Sequence, residues 1–189
     1  SAASDVYKRQ EHIPANRQFL LSEIVSLATV DVLNRYATGF SIKWPNDIYW
    51  HDKKIAGILI ENVLSGSTFS RAIIGMGLNI NQKNFYSDAP NPVSLYQITG
   101  RTYKIEKILD EFTEDFGKRY TDTFTNSSDR IHKEYIAALY RNDGVYPFYS
   151  DGNIFHASIA DVELDGHLLL STESGEKKRF AFKEVSFLL

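Results

Sequence analysis

Short apolar segments separated by turn residues fill the chain from Phe40 to Leu78, and this spacing constrains the fold more than any other feature. Phe40–Trp44 alternates apolar and polar residues as a half-buried strand does, and Pro45-Asn46-Asp47 is typical of a turn. Further strands are predicted at Ile48–Trp50, Ile55–Asn62 and Phe69–Leu78. Because the intervals are too short for helices, the sequence predicts a mainly antiparallel or mixed sheet.

Helical periodicity on both sides of these strands predicts helices that flank the sheet. Residues 19–37 carry an apolar stripe, and Gly39 is the expected stop. A second stripe runs from Ile105 to Phe124, and a shorter one from Ile131 to Leu139. Residues 85–100 are rich in proline and asparagine, so we predict a loop there with little regular structure.

Four closely spaced strand patterns follow Asn142 and indicate a small β-barrel or sandwich. They are Gly144–Tyr149, Ile154–Val162, His167–Ser171 and Arg179–Phe182. The predicted fold class is therefore α+β, a mixed sheet flanked by helices and followed by a small β domain. We place the boundary near residue 141, with domains at 11–141 and 142–189.

The first ten residues differ in character from the rest of the chain. They lack an initiator methionine and clear periodicity, and Asp5–Gln10 resembles a translated sequencing adaptor. We therefore expect residues 1–10 to be a non-native scar outside the fold. The native protein would then begin further upstream, and this chain would be truncated at its N-terminus.

Composition and missing motifs exclude several kinds of function. The net charge of −3 is too balanced for a general nucleic-acid binder, and the absence of cysteine excludes disulfides, thiolate metal sites and a cysteine nucleophile. The histidines lack metal-ligand spacing, and no Walker loop or G-x-S-x-G elbow is present. No apolar run is long enough to span a membrane, so we expect a cytoplasmic protein without a membrane segment.

One polar cluster remains that a purely structural role does not require. Asp47 lies in the turn, Lys54 begins a strongly apolar strand, and Gly57 and Gly75 interrupt two neighbouring strands. Glycine inside a strand often marks the close approach of a ligand, and a lysine beside it can face an anion. Alone, each residue has an ordinary structural explanation. Together with Asn79, they predict a pocket for a flat ligand with an anionic end.

The segments Lys43–Asp47, Lys54–Glu61 and Gly75–Asn81 closely resemble signature blocks of the biotin–protein ligases. These bacterial enzymes biotinylate the carrier subunit of acetyl-CoA carboxylase. The resemblance implies a class II synthetase-like catalytic domain and a C-terminal SH3-like β-barrel. It also implies ATP and Mg²⁺ as cofactors, biotin as substrate and biotin carboxyl carrier protein as partner. It leaves a homodimer open, and no nucleic-acid partner is expected for this chain.

The resemblance also implies roles for individual residues. Lys54 and Asp47 would be catalytic, and biotin would be bound by Lys54, Gly57 and Gly75. ATP and its phosphates would be bound by Lys43, Asn46 and Asn79, and Asn46 and Asn79 would also serve as Mg²⁺ ligands. The implied reaction forms biotinyl-AMP and then transfers biotin to a carrier lysine.

The chain departs from the family pattern because it contains no glycine- and arginine-rich biotin loop. We therefore expect weak biotin binding, impaired turnover and an open sheet edge where the preceding strands are missing. A lipoate–protein ligase and a non-catalytic ligase-like binding module are the alternatives. A transcriptional role has no support because no helix-turn-helix segment precedes these blocks, and a segment lost by truncation is left open as a place for one.

Overall fold

A computed structural model describes residues 2–6, 17, 19–65, 68–86, 91–125 and 128–188. Its first sheet has the strand order β1-β5-β4-β3-β2, and every pairing in it is antiparallel. The strands are β1 (Ala2–Val6), β2 (Phe40–Lys43), β3 (Asp47–Trp50), β4 (Lys53–Ser65) and β5 (Thr68–Leu78). The antiparallel form of the predicted sheet is thus confirmed.

Strand β1 corrects the prediction for the first residues of the chain. Ala2–Val6 pairs antiparallel with β5, with Ala2 opposite Leu78 and Val6 opposite Ile74. The exclusion of residues 1–10 from the fold is therefore wrong for Ala2–Val6, whereas their non-native origin stays a prediction. The expected open edge is likewise not found along this part of β5. Residues 7–10 lie outside the described residues.

Helix α1 (Phe19–Asn34) forms the centre of the main core. Leu21, Ile24, Val25 and Leu33 are almost completely buried, as suits a helix covered on most sides. The helix ends before the predicted stop at Gly39, because its last carbonyls already accept short-range bonds from the amides of residues 35–37. Gly39 instead has a φ of 96° where the chain enters β2.

Two further helices pack against α1 as the periodicity predicts. They are α3 (Ile105–Thr125) and α4 (Ser128–Ala137). The α3 stripe places Ile108, Phe112 and Phe116 in the core, and Tyr135 of α4 is fully buried. Among the described helices, none combines the length and hydropathy that a bilayer-spanning helix needs.

The short helix α2 (Leu95–Thr99) lies where a loop was predicted. Ser94 is its N-cap: its hydroxyl oxygen accepts a hydrogen bond from the amide of Gln97, and its own amide donates to the Oε1 of Gln97. This capping box satisfies donors at the helix start, and Gly100 ends the helix at a φ of 72°. The prediction of little regular structure over 85–100 is therefore wrong for this helix.

The C-terminal residues form a second antiparallel sheet with the order β10-β6-β7-β8-β9. Its strands are β6 (Tyr146–Ser150), β7 (Asn153–Val162), β8 (Leu168–Thr172), β9 (Lys177–Phe180) and β10 (Ser186–Phe187). The four predicted strands are present, and β10 was not predicted. Among the described strands, β9 and β10 are not paired to close a barrel. The predicted boundary near residue 141 falls between α4 and β6.

Arg119 on α3 joins three helices through two carboxylates. Its guanidinium lies 2.5 Å from Asp31 of α1 and 2.6 Å from Glu134 of α4, and its side chain is only 19% exposed. Removing the guanidinium would leave two partly buried carboxylates without this partner.

Replacing Arg119 with alanine is therefore expected to lower the free energy of unfolding by about 2 kcal/mol in urea denaturation. Arg130→Ala is the matched control, because Arg130 also pairs with Glu134 but is 75% exposed. We expect that control to change stability by less than about 0.5 kcal/mol. Equal effects of the two substitutions would contradict this account of the helix layer.

His132 on α4 connects α1 to the second sheet. Its Nδ1 lies 2.7 Å from Glu23 of α1, and its Nε2 lies 2.9 Å from Asp161 of β7. Burial lowers the pKa of His132, but the hydrogen bonds to Glu23 and Asp161 outweigh it and raise the pKa overall. Burial also raises the pKa of Glu23, although His132 opposes that shift.

A raised pKa means that the folded protein holds the His132 proton more tightly than the unfolded chain does. The resulting stabilisation is full below about pH 6.5 and is lost as the pH rises through the folded value. Substituting His132→Gln should therefore cost more stability at about pH 6 than at about pH 9. Urea unfolding of both proteins across this range tests the sign, and a cost that grows with rising pH would oppose it.

Candidate active site

The register of the first sheet brings the predicted glycines together. Asp47 lies opposite Gly57, and Gly57 lies opposite Gly77. Lys43 lies opposite Asp47 at the end of β2. Because directly paired residues on antiparallel strands point to the same face, these four positions form one row across the sheet.

The other face of the same strands is covered. Ile48, Ala56 and Leu78 are paired in register and buried in the core that contains α1. Since successive residues alternate between faces, the row with Gly57 and Gly77 lies on the face turned away from this core. The glycines therefore leave a shallow floor on the uncovered face.

Lys54 projects over this floor, as predicted. Its Nζ lies 2.7 Å from Oδ1 of Asp47, and both side chains are partly exposed. A Cβ placed on Gly57 would lie 3.3 Å from the Lys54 Nζ and 3.4 Å from the Asp47 Oδ1. The missing side chain at Gly57 thus leaves room for the ion pair and for an atom that approaches it.

The backbone of Lys54 is held by the segment that follows β5. Its amide donates to the carbonyl of Asn91, and its carbonyl accepts from the amide of Val93, each at 2.9 Å. Asn79 supports the same segment, since its Nδ2 donates to the Val93 carbonyl at 3.2 Å. The residues around Asn91 thereby form one wall of the cleft above the glycine floor.

Lys43 lies at the opposite side of the ion pair. Its Nζ donates to the hydroxyl of Tyr49 at 2.9 Å and lies 5.5 Å from the ring centre of Phe187. Burial lowers the pKa of Lys43, and the nearby Asp47 carboxylate opposes this shift. A desolvated ammonium group at this position attracts an anionic ligand.

The cleft has a volume of about 390 Å³. It is lined by Lys43, Asp47, Tyr49, Lys54, Ala56, Gly57, Gly77, Asn79, Phe85, Asn91 and Pro92. It therefore brings together Lys43, Lys54, Asp47, Gly57 and Asn79 from the predicted set. An acidic group, two ammonium groups and an amide share this space.

Two predicted residues are not among the described residues that line the cleft. The Nδ2 of Asn46 donates to the carbonyl of Ile58 at 2.7 Å, so this amide fastens the turn to β4. Gly75 lies opposite Leu59, on the same face as Gly57 but further along the strands. The ligand roles of Asn46 and Gly75 stay predictions.

Sequence reasoning named the Gly75–Asn81 segment but selected Gly75 rather than Gly77 as the floor residue. The strand register identifies Gly77 as the floor residue, because Gly77 pairs directly with Gly57. The contributions of Phe85, Asn91 and Pro92 were not predicted. Asn91 and Pro92 reach the cleft through a parallel bridge between Lys54 and Pro92, which no local pattern reveals.

The other cavities, grooves and charged clusters named here among the described residues do not contain the predicted site residues. A cavity of about 220 Å³ lies beside Glu23 and His132, and grooves of about 540 Å³ and 580 Å³ lie along the second sheet. Glu163, Asp165 and His167 lie close together, but Arg179 forms ion pairs with both carboxylates. We therefore assign no metal to that cluster.

Comparisons with known proteins show similarity to ligases. Residues 6–79 match the profile of the biotin/lipoate A/B protein ligase family. The bifunctional ligase/repressor BirA of Bacillus spizizenii is 28% identical over 179 residues, which are 89% of this chain and 53% of that protein. The biotin–[acetyl-CoA-carboxylase] ligase of Paracoccus denitrificans is 30% identical over 128 residues, or 64% of this chain and 53% of that protein.

The chain is therefore similar in sequence to biotin–protein ligases. The biotin protein ligase of Aquifex aeolicus in complex with biotin and ATP has the same fold, with a TM-score of 0.75 at 21% identity. That match covers 97% of this chain and 76% of the other. The chain spans about half the length of the curated relatives named above.

The Lys54–Asp47 pair is expected to contribute little to the stability of this chain. The two side chains are 40% and 35% exposed, so water screens their attraction. Asp47→Asn should change the free energy of unfolding by less than about 1 kcal/mol, as measured by urea denaturation. A loss above about 2 kcal/mol would show that the pair serves the fold rather than a ligand.

Proposed function

We propose that this chain carries the catalytic site of an ATP-dependent biotin–protein ligase. The observation that carries the proposal is the ammonium group of Lys54 above the Gly57 floor, beside Asp47 and inside the cleft. The family match and the relatives named for biotin ligation support it.

In the first step, a carboxylate oxygen of biotin attacks the α-phosphorus of ATP. The bond from that phosphorus to the bridging oxygen breaks, pyrophosphate leaves, and biotinyl-AMP forms. Negative charge gathers on the phosphoryl oxygens, and Lys54 is placed to stabilise it and to orient the biotin carboxylate. Asp47 holds the Lys54 side chain in this orientation through the 2.7 Å contact.

The glycine face suits the ring system of biotin. Gly57 and Gly75 lie on this face with Gly77, and a Cβ on Gly77 would meet no atom within 4 Å. Leu59 lies opposite Gly75 and is 61% exposed, which adds apolar surface to the same face. We propose that this surface is the floor under bound biotin.

The remaining polar groups suit the nucleotide. Lys43 and Asn79 line the cleft, and Asn46 lies in the adjoining turn. Mg²⁺ prefers one or two carboxylates together with substrate phosphates, and Asp47 is the only carboxylate among the described residues lining the cleft. Asp47 and Asn79 therefore fit a bound Mg²⁺, with Asn46 as a further proposed ligand. When bound, the ion would neutralise phosphate charge.

In the second step, an amine of a lysine in the carrier protein attacks the carbonyl carbon of biotinyl-AMP. The carbon–oxygen bond to AMP breaks, the amine loses a proton, and biotin is joined through an amide. Asp47 is partly exposed and lies at the cleft, so it is placed to attract the incoming ammonium group. We propose biotin carboxyl carrier protein as this partner. For the chain itself, we propose that the second sheet is SH3-like and that the protein is located in the cytoplasm.

Two other functions remain to be compared with this one. A lipoate–protein ligase would use the same family framework, because the matched profile includes both activities. Calorimetric titration with biotin and with lipoate distinguishes the two ligands. A non-catalytic binding module would not depend on Lys54, so substituting this lysine separates it from an enzyme.

Lys54→Ala is expected to reduce biotinyl-AMP formation at least about 100-fold, because it removes the cation at the reacting phosphate. Lys53→Ala is the matched control, since Lys53 is the preceding residue, is exposed and does not line the cleft. Release of pyrophosphate from ATP with biotin present measures the reaction. Equal rates for the two variants, or binding of lipoate in preference to biotin, would contradict the proposal.

A further inference from the structure

Trp44 connects the turn of the cleft to the second sheet. Its Nε1 donates to the carbonyl of Gly166 at 2.9 Å, although 122 positions separate the two residues in the chain. The Trp44 side chain is buried, and its ring also meets Phe182 edge-on at 6.4 Å. The connection joins the residue just before Pro45 to the tip of the β7–β8 hairpin.

At Gly166, the hairpin packs so closely against α1 that a side chain would not fit. Gly166 has a φ of 93°, and a Cβ at this position would lie 2.5 Å from Cδ2 of Phe19. A side chain is therefore excluded by both the backbone conformation and the neighbouring ring. The hairpin tip thus packs directly against Phe19, the first residue of α1. At the same tip, Trp44 donates its hydrogen bond to the carbonyl of Gly166.

A second group of contacts holds the same parts together. His132 bridges Glu23 of α1 and Asp161 of β7, close to the turn of the hairpin. The carbonyl of Pro45 accepts a hydrogen bond from the hydroxyl of buried Tyr135 at 3.3 Å. The hairpin, α1 and α4 consequently form one support behind the Trp44–Pro45 segment.

This support contacts the turn that precedes the cleft. Among the described residues that line the cleft, none comes from the second sheet. Asp47 lies three positions after Trp44, and its carboxylate must remain near Lys54 to form the 2.7 Å contact. A shift of the turn would displace Asp47 relative to Lys54 without changing any residue of the cleft.

We infer that Trp44 is a positioning residue, through which the β7–β8 hairpin fixes Asp47 and Asn46 against the nucleotide end of the ligand. The inference rests on the proposed function, because it assumes that the cleft binds biotinyl-AMP. It adds that the second sheet takes part in ligand recognition without touching the ligand. The expected effect is larger for the nucleotide end, since biotin also rests on the glycine floor of β4 and β5, which Trp44 does not hold.

The test compares three proteins: the unchanged chain, Trp44→Phe and Phe182→Leu. Trp44→Phe keeps an aromatic ring and removes the Nε1–H donor to Gly166. Phe182→Leu alters the ring neighbour of Trp44 but keeps that donor, and Phe182 is 61% exposed. Calorimetry measures the affinity of each protein for biotin and for a stable phosphodiester analogue of biotinyl-AMP. Thermal unfolding is recorded for all three.

We expect Trp44→Phe to weaken binding of the analogue about tenfold while changing biotin affinity less than about twofold. Phe182→Leu should bind both ligands as the unchanged chain does. Equal loss of both ligands, or unchanged binding of the analogue by folded Trp44→Phe, would overturn the inference. Failure of the unchanged chain to bind either ligand would instead overturn the proposed function, and this inference with it.

Discussion

The antiparallel register of β3, β4 and β5 is the constraint on which the site depends. It places Asp47, Gly57 and Gly77 in one row on the uncovered face, while Ile48 and Ala56 enter the core. A slip of one residue would exchange the two faces and bury Asp47 among apolar side chains. The burial of the apolar face therefore also determines where the ion pair and the glycine floor lie.

Much of this arrangement was predictable from local patterns. Alternation and turn residues predict β2 to β5, because each strand has one buried face. The glycines and Lys54 predict a ligand cleft only in combination, because each of them alone has an ordinary structural explanation. The choice between Gly75 and Gly77 was not predictable, since it depends on how β5 pairs with β4, whose register shifts between Val63 and Leu64.

Other parts of the fold depend on contacts that no short window contains. Strand β1 forms only because β5 offers a free edge, and β10 is too short for a periodic signal. Helix α2 was missed although Ser94 and Gln97 have capping-box spacing, because the surrounding prolines suggested a loop. The bond between Trp44 and Gly166 joins distant segments and requires the second sheet to be in place.

The central claim is that three separated segments form one ligand cleft, and amide chemical-shift mapping tests it directly. Biotin, alone and then with ATP, is titrated into isotopically labelled protein while amide spectra are recorded. The account predicts that the largest shifts occur at Asp47, Lys54, Gly57 and Gly77. Shifts concentrated instead beside Glu23 and His132, or along the second sheet, would contradict it.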